Sequence, residues 1–147
     1  MAGRPFYVFR ENSITMKYFD EIVSTLSDSE KRWMNITESA ADADDDCREE
    51  FILFVDDKPV SGAEISWDNT GAAIAVATDP SYRKQGLGTI VVEQALHFIK
   101  ENDCNRVVWW TQKTNEASIN LAVKCGFLPI AESVTSDDPW ILYRKLF

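Results

Sequence analysis

The sequence contains few of the residues that build disulfide frameworks or metal centres. Its 147 residues include three cysteines and one histidine, and Cys47, Cys104 and Cys125 are widely separated. An odd number of cysteines at such spacing matches neither a disulfide framework nor a paired zinc-ligand pattern. The acidic run Asp42–Asp46 starts like a calcium loop, but Cys47 stands where that loop needs glycine and Leu53 where it needs glutamate. We therefore expect a cytoplasmic protein that binds no metal.

Long apolar runs and an excess of positive charge are also absent. No window approaches the roughly 20 apolar residues that a membrane span needs, and the first residues, MAGRPFYVFREN, have no apolar signal-peptide core. Lysine and arginine number 15 against 24 aspartates and glutamates, a net charge of −9. Because nucleic-acid affinity depends on basic residues that neutralise phosphates, we expect neither a nucleic-acid nor a membrane partner.

The overall composition is that of a globular protein. Hydrophobic residues make up 45% and charged residues 27% of the chain, far from the range of disordered sequences. A chain of this length supports a single hydrophobic core. We expect residues 1–147 to fold as one domain.

The first part of the chain is predicted to hold one strand and two short helices. The strand covers residues 6–10, and apolar residues recur at helical spacing over Tyr18–Leu26. Ser27 and Glu30 have the spacing of a capping box, which opens a second helix that carries Trp33.

The remainder is predicted to alternate between strands and helices. The acidic stretch Thr37–Glu50 has no periodicity and reads as a loop, and residues 51–79 contain three antiparallel strands separated by the turn compositions DDKP and DNTG. An amphipathic helix, TIVVEQALHFIKEN, precedes the strand RVVWWTQ. A helix that stops at Gly126 and two final strands, LPIAESV and WILYRKLF, complete the chain.

The stretch RKQGLG, Arg83–Gly88, lies directly before the amphipathic helix. A helix N-terminus presents unpaired amide N–H groups and partial positive charge, so Gly86 and Gly88 would let a phosphate group approach the backbone. The alternative is that both glycines only shape a tight turn. A P-loop is excluded because no Gly-Lys-Ser/Thr follows, and the third glycine of the dinucleotide fingerprint is missing.

These six residues match the Arg/Gln-x-x-Gly-x-Gly/Ala motif of the GNAT N-acetyltransferases, and the chain resembles that family. A second segment, NEASINLAVKCGF, resembles another family pattern at Asn115, Leu121, Lys124, Gly126 and Phe127. The order of predicted elements is also similar to that of the family. The resemblance implies an α/β fold in which about four helices flank a mixed, mostly antiparallel sheet of about six to seven strands.

The resemblance further implies that the ligand is acetyl-CoA. The backbone of Val76, Ala77 and Thr78 would bond the pantetheine arm as an added strand does. Asn115 would lie near the pantetheine or hold the splayed end of the sheet. The pyrophosphate would lie against Arg83, Lys84, Gln85, Gly86, Leu87, Gly88 and Thr89.

The chain departs from the family in the residues that move protons. Many members have a tyrosine that protonates the departing thiolate, but Ala122 stands in its place. Tyr82 and Tyr143 are the candidate substitutes, with packing in the core as the alternative. The strand before the glycine turn has no carboxylate, and Glu64 is the nearest candidate base by strand alternation, unless it is solvated beside Ser66.

The resemblance implies an enzyme that moves acetyl from acetyl-CoA to a primary amine of a small molecule, peptide or protein by direct attack. A CoA-binding regulatory module without catalysis is the alternative, because the usual acid and base are missing. The carboxylates between Asp42 and Glu50 would draw in a cationic acceptor or would only solvate a loop. The sequence leaves the choice between a monomer and a homodimer open.

Overall fold

One mixed sheet forms the centre of the protein. The computed structural model describes residues 6–10, 18–31, 47–134, 137 and 139–147. The strands of this part are β1 (Phe6–Arg10), β2 (Arg48–Val55), β3 (Lys58–Asp68), β4 (Gly71–Thr78), β5 (Arg106–Gln112), β6 (Leu128–Glu132) and β7 (Trp140–Leu146). They lie in the order β1-β2-β3-β4-β5-β7-β6.

Three helices of the described part pack on or connect these strands. They are α1 (Tyr18–Val23), α2 (Leu87–Glu101) and α3 (Glu116–Lys124). Residues 28–31 are also helical, whereas Trp33 of the predicted second helix lies outside the described residues. Within the described residues, no helix combines the length and the apolar character needed to cross a bilayer.

Strand β2 begins earlier than the sequence predicts. Its first residues, Arg48–Glu50, pair with β3 in an antiparallel register that continues to Leu53 and shifts before Phe54, and Glu50 lies opposite Glu64. Charged residues have low strand propensity, and pairing with a neighbouring strand overrides it here. The predicted loop is therefore wrong at its last three residues, while Asp42–Asp46 lie outside the described residues.

The junction between β4 and β5 positions the cleft described below. Every other neighbouring pair of strands is antiparallel, but β4 and β5 run parallel. In the described part, their ladder contains only the pairs Ala72 with Val107 and Ala73 with Val108. Beyond these pairs the two strands separate toward their C-terminal ends.

The sheet carries a separate hydrophobic cluster on each face. The larger cluster packs α2 against the sheet and includes Ile65, Val92 and Phe127. The smaller cluster packs α1 against the other face and includes Phe19 and Ile22. Direct cross-strand partners point to the same face, so the alternation along each strand divides its residues between the two clusters.

Candidate active site

A cleft of about 480 Å³ opens where β4 and β5 separate. The N-terminus of α2 lies at one end of this cleft, and α3 contributes part of its wall. Residues of β4, of the glycine turn and of β5 therefore share one cavity. The residues that line the cleft include Leu26, Glu30, Ala75, Val76, Ala77, Thr78, Tyr82, Arg83, Lys84, Gly86, Leu87, Gly88, Thr89, Trp110, Asn115, Ser118 and Leu121.

Gly86 has the geometry that a phosphate cradle requires. It is the N-cap of α2, adopts a left-handed φ of 77°, and makes no side-chain capping hydrogen bond. A Cβ built on Gly86 would meet no atom within 4 Å. Because the first amides of a helix have no partner within the helix, the turn presents donors and open space together.

Glycine fits position 88 for a different structural reason. A Cβ at this position would lie 2.9 Å from Cδ2 of Leu121, closer than real Cβ contacts. The second glycine therefore allows α2 to approach α3 closely. The sequence pattern grouped Gly86 and Gly88 as one ligand-facing pair, and only the structure separates open space at the first from close packing at the second.

Buried Asp79 anchors the approach to the glycine turn. Its backbone N–H donates to the Val60 carbonyl at 2.8 Å, and its carboxylate accepts from the Ser81 N–H at 2.9 Å. The Lys58 ammonium lies 3.2 Å from the same carboxylate. Burial opposes ionisation, but these donors outweigh it and lower the pKa of Asp79. The ionised carboxylate fixes the chain between β4 and the turn.

Thr78 ends β4 inside the cleft. Its hydroxyl lies 2.8 Å from that of Ser61, and its carbonyl accepts a hydrogen bond from Nε of Arg83 at 3.3 Å. Nη2 of Arg83 lies 2.8 Å from a carboxylate oxygen of Glu30. Arg83, which the resemblance assigns to the pyrophosphate, is therefore hydrogen-bonded within the protein.

Asn115 lies at the N-terminus of α3 and also lines the cleft. Its side-chain oxygen accepts from the Ser118 N–H at 3.1 Å, which makes it an N-cap. Its own N–H donates to the Gln112 carbonyl at the end of β5 at 3.1 Å. These contacts tie the start of α3 to the end of β5, while the role expected of Asn115 toward the cofactor stays a prediction.

Glu64 is buried, with a relative exposure of 9%, and is not the solvated residue that the alternative interpretation described. Its carboxylate lies 3.2 Å from Nη1 of Arg48. Ala75, its partner on β4, lines the cleft. Glu64 therefore lies one strand away from the cavity, on the face covered by α1.

Glu50 is a titratable residue of this face that the sequence analysis did not single out. Burial, followed by the charges of Glu64 and Asp20, raises its pKa to about 7, against the lowering effect of the backbone hydrogen bonds from Phe19 and Tyr18. The Tyr18 N–H donates to its carboxylate at 3.2 Å. No pattern in the sequence indicates this, because the effect depends on strand pairing.

The tyrosine candidates differ in position. Tyr143 has a relative exposure of 4% and belongs to the larger core cluster, which fits the packing alternative. Tyr82 lines the cleft. Ala122, at the family's usual tyrosine position, is fully buried in the core. In the part of the chain that the structure describes, no group of histidine, cysteine and carboxylate residues could hold a metal ion.

Comparison with known proteins assigns the chain to a family. Residues 12–127 match the acetyltransferase (GNAT) family, so the chain belongs to that family. N-alpha-acetyltransferase 30 of Xenopus laevis is 36% identical over 58 residues, which are 40% of this chain and 21% of that protein. The chain thus spans about a fifth of the length of this curated relative.

Solved structures share the fold. The ribosomal-protein-S18-alanine N-acetyltransferase of Escherichia coli superimposes with a TM-score of 0.71 at 19% identity, over 96% of this chain and 92% of that chain. A Bacillus anthracis protein, described as a streptothricin acetyltransferase in complex with acetyl coenzyme A, gives a TM-score of 0.61 at 23% identity, over 68% and 62%. The predicted membership of the GNAT family and the predicted GNAT fold are confirmed.

Proposed function

We propose that this chain transfers the acetyl group of acetyl-CoA to a primary amine of a peptide or protein. The observation that supports this most directly is the cleft between β4 and β5. It joins the helix N-terminus at Gly86 to the backbone of Val76–Thr78, where β4 has separated from β5. A linear ligand with an anionic end and an amide-containing arm fits this arrangement of donors.

The residues of the cleft fit the parts of acetyl-CoA. The open space at Gly86 and the cations Arg83 and Lys84 suit the pyrophosphate. The backbone of β4 at Val76–Thr78 suits the amides of the pantetheine arm, as in the addition of a strand. Gln85, Leu87 and Thr89 complete the turn around the phosphates in this proposal.

The chemistry is a direct transfer. The amine nitrogen bonds to the acetyl carbon, the carbon–sulfur bond breaks, the amine loses one proton and the sulfur takes up one. The protein contributes by holding the amine against the thioester and by directing backbone N–H groups at the carbonyl oxygen. Burial and Glu93 raise the pKa of the Cys125 thiol, which disfavours that residue as an intermediate acyl carrier.

The proton from the amine passes, in our proposal, through water to the carboxyl pair of Glu64 and Glu50, because neither residue lines the cleft and Glu64 lies one strand away from it. The two residues face each other across β2 and β3, and Glu64 pairs with cleft residue Ala75. A carboxyl group with a pKa near neutrality is matched to this task. Tyr82 is better placed than Tyr143 to give a proton to the sulfur, because Tyr82 lines the cleft.

A protein or peptide acceptor is favoured by the matched relative. The name of N-alpha-acetyltransferase 30 states that its acceptor is an alpha-amino group, and 58 residues of this chain match that protein. A small-molecule amine is the alternative acceptor. The two are distinguished by offering peptides with free and with blocked N-termini beside small amines, and by reading acetylation by mass spectrometry.

The experiment uses purified protein, acetyl-CoA and these acceptors. We expect acetylation of a free peptide amine, and we expect Gly86→Val to weaken CoA binding by more than about tenfold, or about 1.4 kcal/mol. Gly126→Val is the matched control, because Gly126 also has a positive φ, 89°, and does not line the cleft. If the valine variants do not fold, Gly86→Ala and Gly126→Ala replace them. Equal CoA affinity of folded wild type and folded Gly86 variant would reject this cofactor site.

A CoA-binding module without catalysis remains the second candidate. The buried Ala122 at the usual tyrosine position favours it, because the common thiolate acid is missing. This candidate predicts CoA binding that depends on Gly86 but no acetyl transfer to any acceptor tested. Turnover with any amine excludes it.

A further inference from the structure

The guanidinium of Arg83 is already engaged by acceptors of the protein itself. Its Nε donates to the Thr78 carbonyl at 3.3 Å, and its Nη2 donates to Glu30 at 2.8 Å. Nε and Nη2 form one edge of the planar guanidinium fork, the geometry that binds two oxygens of a carboxylate or phosphate side by side. That edge is occupied by internal oxygens in this structure.

Glu30 is held in place for this contact. Its other carboxylate oxygen accepts from the Ser27 hydroxyl at 3.0 Å, and its backbone N–H donates to the same hydroxyl at 3.3 Å. The bond from the Glu30 N–H to the Ser27 hydroxyl is one half of the capping box that the sequence predicts; the Glu30 carboxylate accepts from the Ser27 hydroxyl, whereas the second half of a capping box is a bond from the N-cap N–H. The cap orients one oxygen of Glu30 toward Ser27 and leaves the second for Arg83.

The contact between Arg83 and Glu30 is unusual because of the charges that line the cleft. Among the lining residues that the structure describes, two are cations, Arg83 and Lys84, and one is a carboxylate, Glu30. An incoming pyrophosphate is repelled by Glu30, and Glu30 is bound to one of the cations. The Thr78 carbonyl that Arg83 covers also belongs to the backbone stretch assigned above to the pantetheine arm.

We propose that Glu30 is an internal competitor of the pyrophosphate, which holds Arg83 in the free protein and is displaced from it when the cofactor binds. This inference rests on the cofactor placement of the proposed function. Displacement would exchange one anionic partner of Arg83 for another and would free the Thr78 carbonyl. Glu30 acts through Arg83 and is a positioning residue, not a catalytic one.

The energetics allow such an exchange. The Arg83 and Glu30 side chains are 39% and 26% exposed, and ion pairs of this exposure contribute little net stability. A pyrophosphate with more than one negative charge and additional amide donors at Gly86 can displace such a pair. Removing the competing charge should therefore tighten cofactor binding.

The test measures CoA affinity of the full chain by calorimetry at low and high salt. Glu30→Gln keeps the size of the side chain and removes its charge, and we expect the Kd for CoA to fall about two- to fivefold at low salt. The gain should diminish in high salt because both ions are partly exposed. Asp28→Asn is the matched control, since Asp28 is an exposed carboxylate of the same helical turn. It should change the Kd much less.

A double variant shows whether Glu30 acts through Arg83. In an Arg83→Gln background, Glu30→Gln should no longer tighten binding, because the competed cation is gone. An unchanged or weaker affinity of folded Glu30→Gln in the wild-type background, or an equal gain in both backgrounds, would overturn the inference. The cofactor site itself is judged separately: wild-type CoA binding that is lost in Gly86→Val supports it whatever Glu30 does, and absence of CoA binding to wild type rejects both.

Discussion

Glu50 acquires its raised pKa from residues that are distant in sequence and from its burial. Strand pairing sets Glu64 beside it, the Tyr18 N–H at the start of α1 donates to it, and burial removes much of its water. Desolvation and like charge favour the protonated carboxyl, whereas the backbone hydrogen bonds favour the ionised one. The first two effects dominate and raise the pKa to about 7. The group therefore titrates in the range where an acetyltransferase would use it.

This pKa predicts how stability changes with pH. The ordinary value is 4.5 and the folded value about 7, so the folded state binds more protons than the unfolded state between these values. The contribution of Glu50 is fully present below pH 4.5 and is lost as the pH rises to about 7. We expect Glu50→Gln to be more stable than wild type at pH 8, by about 1–2 kcal/mol after allowance for the water that reaches the side chain.

Urea unfolding at several pH values measures this effect. Glu21→Gln is the control, because it removes the same charge from an exposed position on α1. The wild type and Glu21→Gln should lose stability between pH 4.5 and 7 more steeply than Glu50→Gln. Parallel curves for all three proteins would show that Glu50 titrates near its ordinary value.

The two glycines of the turn show which site properties a sequence can predict. The motif indicated a helix N-terminus open to an anion, and Gly86 has the left-handed φ and the free space that this requires. The motif does not indicate what surrounds Gly88, because its neighbour Leu121 is 33 positions away along the chain. Short spacing predicts local backbone geometry, whereas contacts between elements arise only in the folded structure.

Gly88 of α2 lies against the Leu121 side chain of α3. Gly88→Ala brings a Cβ to 2.9 Å from Cδ2 at the end of that side chain, which must shift to make room, while alanine is favoured over glycine in a helix by up to about 1 kcal/mol. We expect Gly88→Ala to stabilise a Leu121→Ala variant by more than it stabilises the wild type, where the shift of Leu121 offsets part of the gain. Unfolding free energies of the four proteins form the thermodynamic cycle.

A larger gain in the Leu121→Ala background would identify Leu121 as the obstacle. An equal change in both backgrounds would mean that Leu121 does not limit the space at Gly88. CoA affinity of the same four proteins separates packing from ligand access, because a packing role alone leaves the Kd of the folded variants close to that of wild type.

The order of the elements was predictable to a large extent, whereas the limits of β2 were not. Apolar periodicity identified α2, which buries one face, and apolar runs between turn compositions identified the three strands before it, which bury residues on both faces of the sheet. Arg48–Glu50 carry no such signal and become strand residues by pairing with β3. The carboxyl pair on the α1 face was missed for the same reason, since one of its members was assigned to a loop.

Over the whole molecule, negative charge exceeds positive charge, but the cleft does not follow this balance. The chain has a net charge of −9, whereas the charged residues in the described part of the cleft lining are Arg83, Lys84 and Glu30. The end that would hold the pyrophosphate is thus locally basic within an acidic protein. A cationic acceptor, by contrast, would be attracted by the molecule as a whole.

This charge distribution predicts a salt dependence that differs between acceptors. Exposed charges are screened over about 10 Å at 0.1 M ionic strength, so added salt should lower kcat/KM for a cationic peptide far more than for a neutral peptide of the same length. Replacing Asp44, Asp45 and Asp46 by asparagine tests whether this acidic segment, which lies outside the described residues, supplies the attraction. If it does, the triple variant should lose most of the difference between the two peptides. Equal salt slopes for both peptides in the wild type would exclude steering by charge, and a wild-type slope in the triple variant would assign it to the other carboxylates of the chain.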